Sequence, residues 1–369
     1  MADAPFTRRL FVASAGVAPA AAAAGQAGGG KLAVNESYPG GNAKASGPIK
    51  IVTMQKFENA ELERFAAAGG KTPVKVVVCT DRQQFRSELR DADVVFGDLR
   101  KDDMDFAPKL RWIQAGGAGM EGADKAVMAA DYTVTNMARV FAPAIAETAF
   151  GLLLCLTRGI SKYYMPQFAK RTMNPVGTVK SNHYMELGGK TMGIVGMGGI
   201  GCEIARRAHY GFGMKVLATD AKPLPTPDFV AELHDPTWFM TMVPQVDVLV
   251  AAAPHTKHTD RMFNEQVFRS MKKTAIFLAM SRGRLFDDMA LVRALKEGWI
   301  GGAGLDVMPV EPPPSDHPIF DCPNVVMSAH SSGWGPERQE RLVSHFAENI
   351  RRYANGLPLM AVVNKSEGY

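Results

Sequence analysis

Three residues far apart in the 369-residue chain are of the types needed to grip a carboxylate, polarise a carbonyl and move a proton. They are Arg282 in Ser281-Arg282-Gly283, Glu311 in Val310-Glu311-Pro312, and His330 in Ser328-Ala329-His330-Ser331-Ser332-Gly333. An arginine fork binds a carboxylate through paired N–H groups and polarises a neighbouring carbonyl. A histidine gives or takes a hydroxyl proton near neutral pH. A carboxylate beside an imidazole favours the charged ring and fixes its orientation. Together the three suit acid–base chemistry on a keto acid. His183, His209, His234, His255, His258, His317 and His345 stand in no comparable setting and read as surface or structural residues.

Upstream, a strand ending in Ile194-Val195 runs into Gly196-x-Gly198-x-x-Gly201, where a helix begins. Such a turn needs glycine to bend tightly at Gly196, to let a pyrophosphate reach the backbone at Gly198, and to pack helix on strand at Gly201. The free amides at the helix start, chiefly of Gly199 and Ile200, would hold the anion with help from the helix dipole. The next strand ends at Asp220, nineteen residues after Gly201. Its carboxylate can accept both ribose hydroxyls of NAD and would repel the 2′-phosphate of NADP. NAD is therefore the expected cofactor, with Lys222 close by leaving a lesser NADP option.

Positioning these groups requires alternating strands and helices, and the apolar runs supply them. Strands are expected at 49–53, 74–79, 94–96, 112–114 and 134–136, then at 192–195, 215–219, 246–252, 275–278, 303–307 and 325–328. Helices fit at 60–68, 142–157, 203–209, 289–297 and 336–353. Alternation of this kind argues for parallel sheets covered on both faces, and the chain is long enough for two cores. The apolar stretch 142–157 is too short, and too interrupted by Glu147, to span a membrane, and no stable membrane anchor is expected.

Composition narrows the function classes. Charged residues make up 21% and the net charge is +5, with no block of five basic residues and no basic run interleaved with aromatics. Nucleic acid is thus not an expected partner. Cys79, Cys155, Cys202 and Cys322 are widely separated and read as buried free thiols, so no metal site is expected. At the start, Thr7-Arg8-Arg9-Leu10-Phe11 leads into an alanine-rich run and then small residues. This order reads as an export signal of twin-arginine type over residues 1–27, followed by a flexible linker over 28–47. A periplasmic location is expected on that reading; a disordered extension on a cytoplasmic protein is the alternative. Export in the folded state would let the chain leave with its dinucleotide bound.

Several ordered blocks resemble the D-isomer-specific 2-hydroxyacid dehydrogenase family over nearly all of residues 49–369. They are Leu187-Gly188-Gly189-Lys190-Thr191, Met271-Lys272-Lys273-Thr274-Ala275, Gly302-Ala303-Gly304-Leu305-Asp306-Val307 and the ending Val362-Val363-Asn364-Lys365. The resemblance implies an α/β fold of two domains. A Rossmann NAD-binding domain (142–330) would be inserted into a flavodoxin-like α/β substrate domain (48–141 and 331–369). It implies an oxidoreductase acting on a small 2-keto or 2-hydroxy acid, with Arg282 holding the substrate, His330 as acid–base group and Glu311 as its partner. Backbone amides near Ala118, Gly119 and Met120 would meet the substrate carboxylate. Ala253 and Pro254 would line the adenosine side, and Asp306 would face the nicotinamide carboxamide. Ser281, Arg282 and His330 would also touch the cofactor. A homodimer joined through the nucleotide domain is implied as well. The chain departs from the family pattern at Ala279, where Asn is usual, and at Ala329, where Pro is usual; the first removes a polar group that helps position the site. An NAD(H)-sensing regulatory protein on the same fold is the alternative, weakened by the presence of Arg282, Glu311 and His330 together. Trp334, just past His330, lies where it can favour an apolar substrate side chain or serve packing alone.

Overall fold

Short runs rich in Val, Ile and Leu, bounded by polar turns, form strands with little exposed side-chain surface on either face. The computed structural model describes residues 44–173 and 184–368; the expected export segment, most of the linker and His183 lie outside the described residues. Strands β1 (Ile49–Thr53), β2 (Val74–Val78), β3 (Val94–Phe96), β4 (Trp112–Gln114) and β5 (Thr133–Thr135) make one sheet, in the order β2-β1-β3-β4-β5. The second sheet holds β6 (Thr191–Val195), β7 (Lys215–Thr219), β8 (Glu232–His234), β9 (Val248–Ala251), β10 (Ile276–Ala279), β11 (Gly302–Leu305) and β12 (Val325–Met327). Its order is β12-β11-β10-β9-β6-β7-β8. All neighbours in both sheets run parallel.

The first order is flavodoxin-like and the second is that of a dinucleotide-binding sheet. In such sheets ligands bind beyond the carboxyl ends of the strands, where the strand order reverses. The reversals fall between β1 and β3 in one sheet and between β6 and β9 in the other. The structure thus has the expected α/β architecture. Strand ends differ from expectation by a residue or two, and β8 has no counterpart among the expected strands. Its residues, Glu232-Leu233-His234, lie at the sheet edge and are at most partly buried, so they carry no apolar run to read. The helix after the glycine turn starts at Gly199 rather than Glu203, because glycines weaken the helix signal without preventing the helix.

Two helices tie the sheets to the chain's path. The helix Ala142–Thr157 follows β5 and packs against β11, β12 and the helix Gly199–Phe212, burying Ile145, Ala149, Leu152 and Leu153. The helix Glu337–Asn355 follows β12 and returns to the first sheet. Its Leu342, Phe346, Ile350 and Tyr353 join Ile49, Ile51, Phe65, Phe96 and Trp112 in one core. Among the described residues, no single helix is long and apolar enough to cross a membrane. All four cysteines are free; Cys79 and Cys322 are buried, whereas Cys155 and Cys202 are only partly so.

His345, on the returning helix, is 7% exposed, and its Nε2 has no partner among the described residues. Burial pushes its pKa down from 6.5 to about 4, against the opposing pull of a hydrogen bond with the Asn136 backbone. An unfolded chain therefore takes up this proton from pH 6.5 downward, and the folded chain does not until about 4. Stability is full above the unfolded value and falls by about 3 kcal/mol as pH drops through this window. Urea midpoints measured between pH 7 and 4 should decline in the wild type and decline less in His345→Gln. Parallel profiles for the two proteins would show that His345 contributes nothing.

Candidate active site

Three adjacent strands, β10, β11 and β12, end at the same edge of the second sheet, and the segment after each carries one of the three candidate side chains there. Arg282 lies just past β10, Glu311 in the loop after β11 and His330 just past β12. His330 Nδ1 stands 2.6 Å from Glu311 Oε2, and Glu311 Oε1 accepts a 2.8 Å bond from the Met308 amide. One carboxylate oxygen is thus pinned to the backbone while the other meets the ring, which leaves Nε2 as the imidazole's outward nitrogen. Half of the His330 side chain is exposed, so the ring is reachable from solvent.

The loop that presents His330 is held from beneath by Asp306. That carboxylate is 3% exposed and accepts from Ser328 Oγ (2.8 Å), from the amides of Ser331 and Ser332 (both 3.2 Å) and from Ser332 Oγ. The Asp306 carbonyl takes the His330 amide at 2.8 Å. His330 itself adopts a left-handed backbone (φ 50°), sparsely populated for a non-glycine residue and maintained here by these bonds. Asp306, expected to face the nicotinamide carboxamide, has its carboxylate oxygens engaged within the 328–332 loop, where several donors offset the cost of burying a polar group.

Arg282 reaches across to the first sheet. Its Nε donates to Glu121 Oε1 at 2.6 Å, its Nη2 to Glu121 Oε2 at 3.3 Å, and its Nη1 to the Ser281 carbonyl at 2.7 Å. Burial pushes the Glu121 carboxyl up, but the Arg282 guanidinium outweighs it and holds the group below the usual carboxylate range. Glu121 belongs to the loop after β4 that contains Ala118, Gly119 and Met120. That loop is pinned by Asn136 Nδ2 on the Ala118 carbonyl (2.8 Å) and by the Met137 amide on the Gly117 carbonyl (2.8 Å). Among the described residues, the amides of Ala118, Gly119 and Met120 donate to no protein acceptor. They remain available for an anion.

The glycine turn lies beside β9. Gly196 has φ 95°, and a Cβ there would come within 2.7 Å of the backbone of Ala253, which precedes Pro254 just past β9, so the turn lies directly against that segment. A Cβ on Gly201 would collide with the Gly196 carbonyl, whereas one on Gly198 would enter open space. Open space over Gly198, at the head of a fourteen-residue helix, is the room a pyrophosphate needs, and among the described residues no acceptor takes the amides of Gly199 or Ile200. These residues fit a bound dinucleotide. Asp220 directly follows β7 beside them; its Oδ2 accepts from the Met197 amide (2.7 Å) and its Oδ1 from the Lys222 amide (2.8 Å). The carboxylate therefore fastens the glycine turn as well as offering its remaining lone pairs outward. Ser281 is 5% exposed, and its hydroxyl bonds the Ala253 carbonyl at 2.8 Å, so its side chain braces β9 against the Arg282 loop.

Two residues at this edge escape a reading of the sequence. Glu121 sits in a polar loop, and its pairing with Arg282 spans 161 positions, so no local pattern announces it. Arg139 is the other. It has φ 78°, and its backbone and Cγ lie where a side chain on Gly199 would stand. A left-handed arginine just before a helix leaves no signature in the chain. Trp334 is 67% exposed, with the Arg338 guanidinium 4.1 Å above its ring.

Comparison with known proteins gives one family. Residues 150–332 match the NAD binding domain of the D-isomer specific 2-hydroxyacid dehydrogenases. A glyoxylate reductase of Korarchaeum cryptofilum is 36% identical over 255 residues, covering 68% of this chain and 75% of that protein. A glycerate dehydrogenase of Methylorubrum extorquens is 31% identical over 270 residues, covering 70% and 81%. Among solved structures, a D-isomer specific 2-hydroxyacid dehydrogenase family protein from Aeromonas salmonicida superposes with a TM-score of 0.69 at 27% identity, over 86% of this chain and 99% of that one. With two parallel sheets in the expected strand orders and a glycine turn made for a nicotinamide dinucleotide, the chain belongs to the D-isomer specific 2-hydroxyacid dehydrogenase family.

Proposed function

We propose that this protein is an NAD-dependent reductase of small 2-keto acids, with glyoxylate and hydroxypyruvate the first substrates to test. The observation that carries the reading is the 2.6 Å His330–Glu311 pair at the strand edge that also bears Arg282 and the glycine turn. The names of the relatives, glyoxylate reductase and glycerate dehydrogenase, support an acid of two or three carbons.

When bound, the nicotinamide supplies a hydride for the carbonyl carbon. Arg282 and the amides of Ala118, Gly119 and Met120 bind the substrate carboxylate and orient the carbonyl. The guanidinium also stabilises negative charge as it grows on the carbonyl oxygen, where electrostatic help counts most. His330 donates the proton to that oxygen from Nε2, since Nδ1 faces Glu311. Glu311 keeps the ring turned toward the substrate because its other oxygen is tied to Met308. Approach of the two sheets' loops over the substrate would keep water out.

Asp220 supports NAD over NADP, since a carboxylate at the end of β7 stands where a 2′-phosphate would bring further negative charge. Dimerisation and location are separate parts of the proposal. Met165, Phe168 and Met173 are exposed just beyond the helix Ala142–Thr157, and such an apolar surface supports pairing of two copies there. Arg8-Arg9 ahead of the alanine run supports export to the periplasm, which fractionation of the tagged full chain tests.

Four outcomes are expected. His330→Ala should lower turnover of glyoxylate by about 10²- to 10⁴-fold while leaving NADH affinity unchanged; equal activity would remove His330 from the chemistry. Gly198→Val should weaken NADH binding, read by fluorescence titration, by about tenfold or more with an unchanged melting temperature, because a Cβ there enters open space. Gly201→Val should instead lower the melting temperature, since its side chain meets the Gly196 carbonyl. Finally, kcat/KM with NADH should exceed that with NADPH by about tenfold, the scale of one like-charge contact near the surface.

A further inference from the structure

The substrate's anion site contains a second ionised group for which the mechanism above has no use. Three of the five N–H groups of Arg282 are engaged, two by the Glu121 carboxylate and one by the Ser281 carbonyl, leaving one on each terminal nitrogen. Two N–H groups serve one carboxylate. Glu121 and Arg282 press against the same loop face: a Cβ on Gly119 would overlap both the guanidinium and a Glu121 oxygen. The guanidinium charge is therefore already balanced before any substrate arrives. Of the neighbouring basic residues, His255 (2.7 Å) and Arg284 (3.6 Å) both lie against the Asp260 carboxylate.

Resting on the reading that Arg282 holds the substrate carboxylate, we infer that Glu121 is a specificity-determining residue that restricts the site to acids with a single negative charge. A first carboxylate finds the two remaining N–H donors and the loop amides of Ala118 and Gly119. A second carboxylate finds the Glu121 carboxylate close by and no unbalanced guanidinium to offset it. Glyoxylate, pyruvate and hydroxypyruvate satisfy the restriction; a keto acid with a second carboxylate, such as oxaloacetate, does not. Held by Arg282, Glu121 stays ionised through the neutral range, so the restriction persists there.

The test uses the full chain loaded with NADH and a pair of ligands of one shape, oxamate with one negative charge and oxalate with two. Calorimetric titration gives a dissociation constant for each. In Glu121→Gln the preference should move toward oxalate by about tenfold relative to wild type, and in Glu121→Asp it should stay near the wild-type ratio. Turnover should follow, with kcat/KM for oxaloacetate rising against that for pyruvate in Glu121→Gln alone. A ratio unchanged in Glu121→Gln, while Arg282→Gln loses oxamate binding, overturns this inference and leaves the parent reading standing. Oxamate binding that is equal in Arg282→Gln and wild type overturns the parent reading, and the inference falls with it.

Discussion

A buried carboxylate must be surrounded by donors, and at Asp306 that requirement shapes the whole reactive edge. Two serine hydroxyls and two amides of the 328–332 loop turn inward to satisfy it, and the same residue's carbonyl takes the His330 amide. The loop has little freedom left, so His330 is held in a left-handed conformation that a loose loop would abandon. Because Asp306 directly follows β11 and the loop follows β12, the anchoring joins two neighbouring strands. Glu311 then meets a ring whose position is already set. In the proposed mechanism the acid–base pair gains its orientation from this rigid support, in keeping with the cost of even small misplacements in catalysis.

The glycine turn shows the same dependence of chemistry on close backbone approach. Gly196 lies against Ala253, Gly201 against Gly196, and Gly199 against Arg139. Each contact removes space a side chain would take, and together they bring three chain segments to the head of one helix. Asp220 closes the arrangement through the Met197 amide. The residue expected to read the ribose therefore also steadies the turn that reads the phosphates, so a substitution at Asp220 would act on both.

Charge is balanced across the boundary between the two sheets. Arg282 from the second sheet and Glu121 from the first form an ion pair with two hydrogen bonds, partly shielded from water, which is worth more than an exposed pair yet remains open to exchange with an incoming anion. The amides of residues 118–120 wait beside it. Thus the first sheet supplies a backbone cradle and one negative charge, and the second supplies the guanidinium and the imidazole–carboxylate pair.

Much of this is legible in the chain because it is local. Gly196, Gly198 and Gly201 announce a turn by spacing alone, and the apolar runs of β1, β3, β4 and β7 announce strands of the observed extent, since such runs have no other stable place than a buried sheet. Arg282, Glu311 and His330 need only their residue types and flanking blocks to be singled out. Tertiary structure decided the rest: that Asp306 anchors the His330 loop, that Arg139 fills the space at Gly199, and that Glu121 pairs with Arg282. Each of these joins residues distant in sequence through hydrogen bonds or contacts, and their energies depend on burial and geometry that exist only once both sheets have formed.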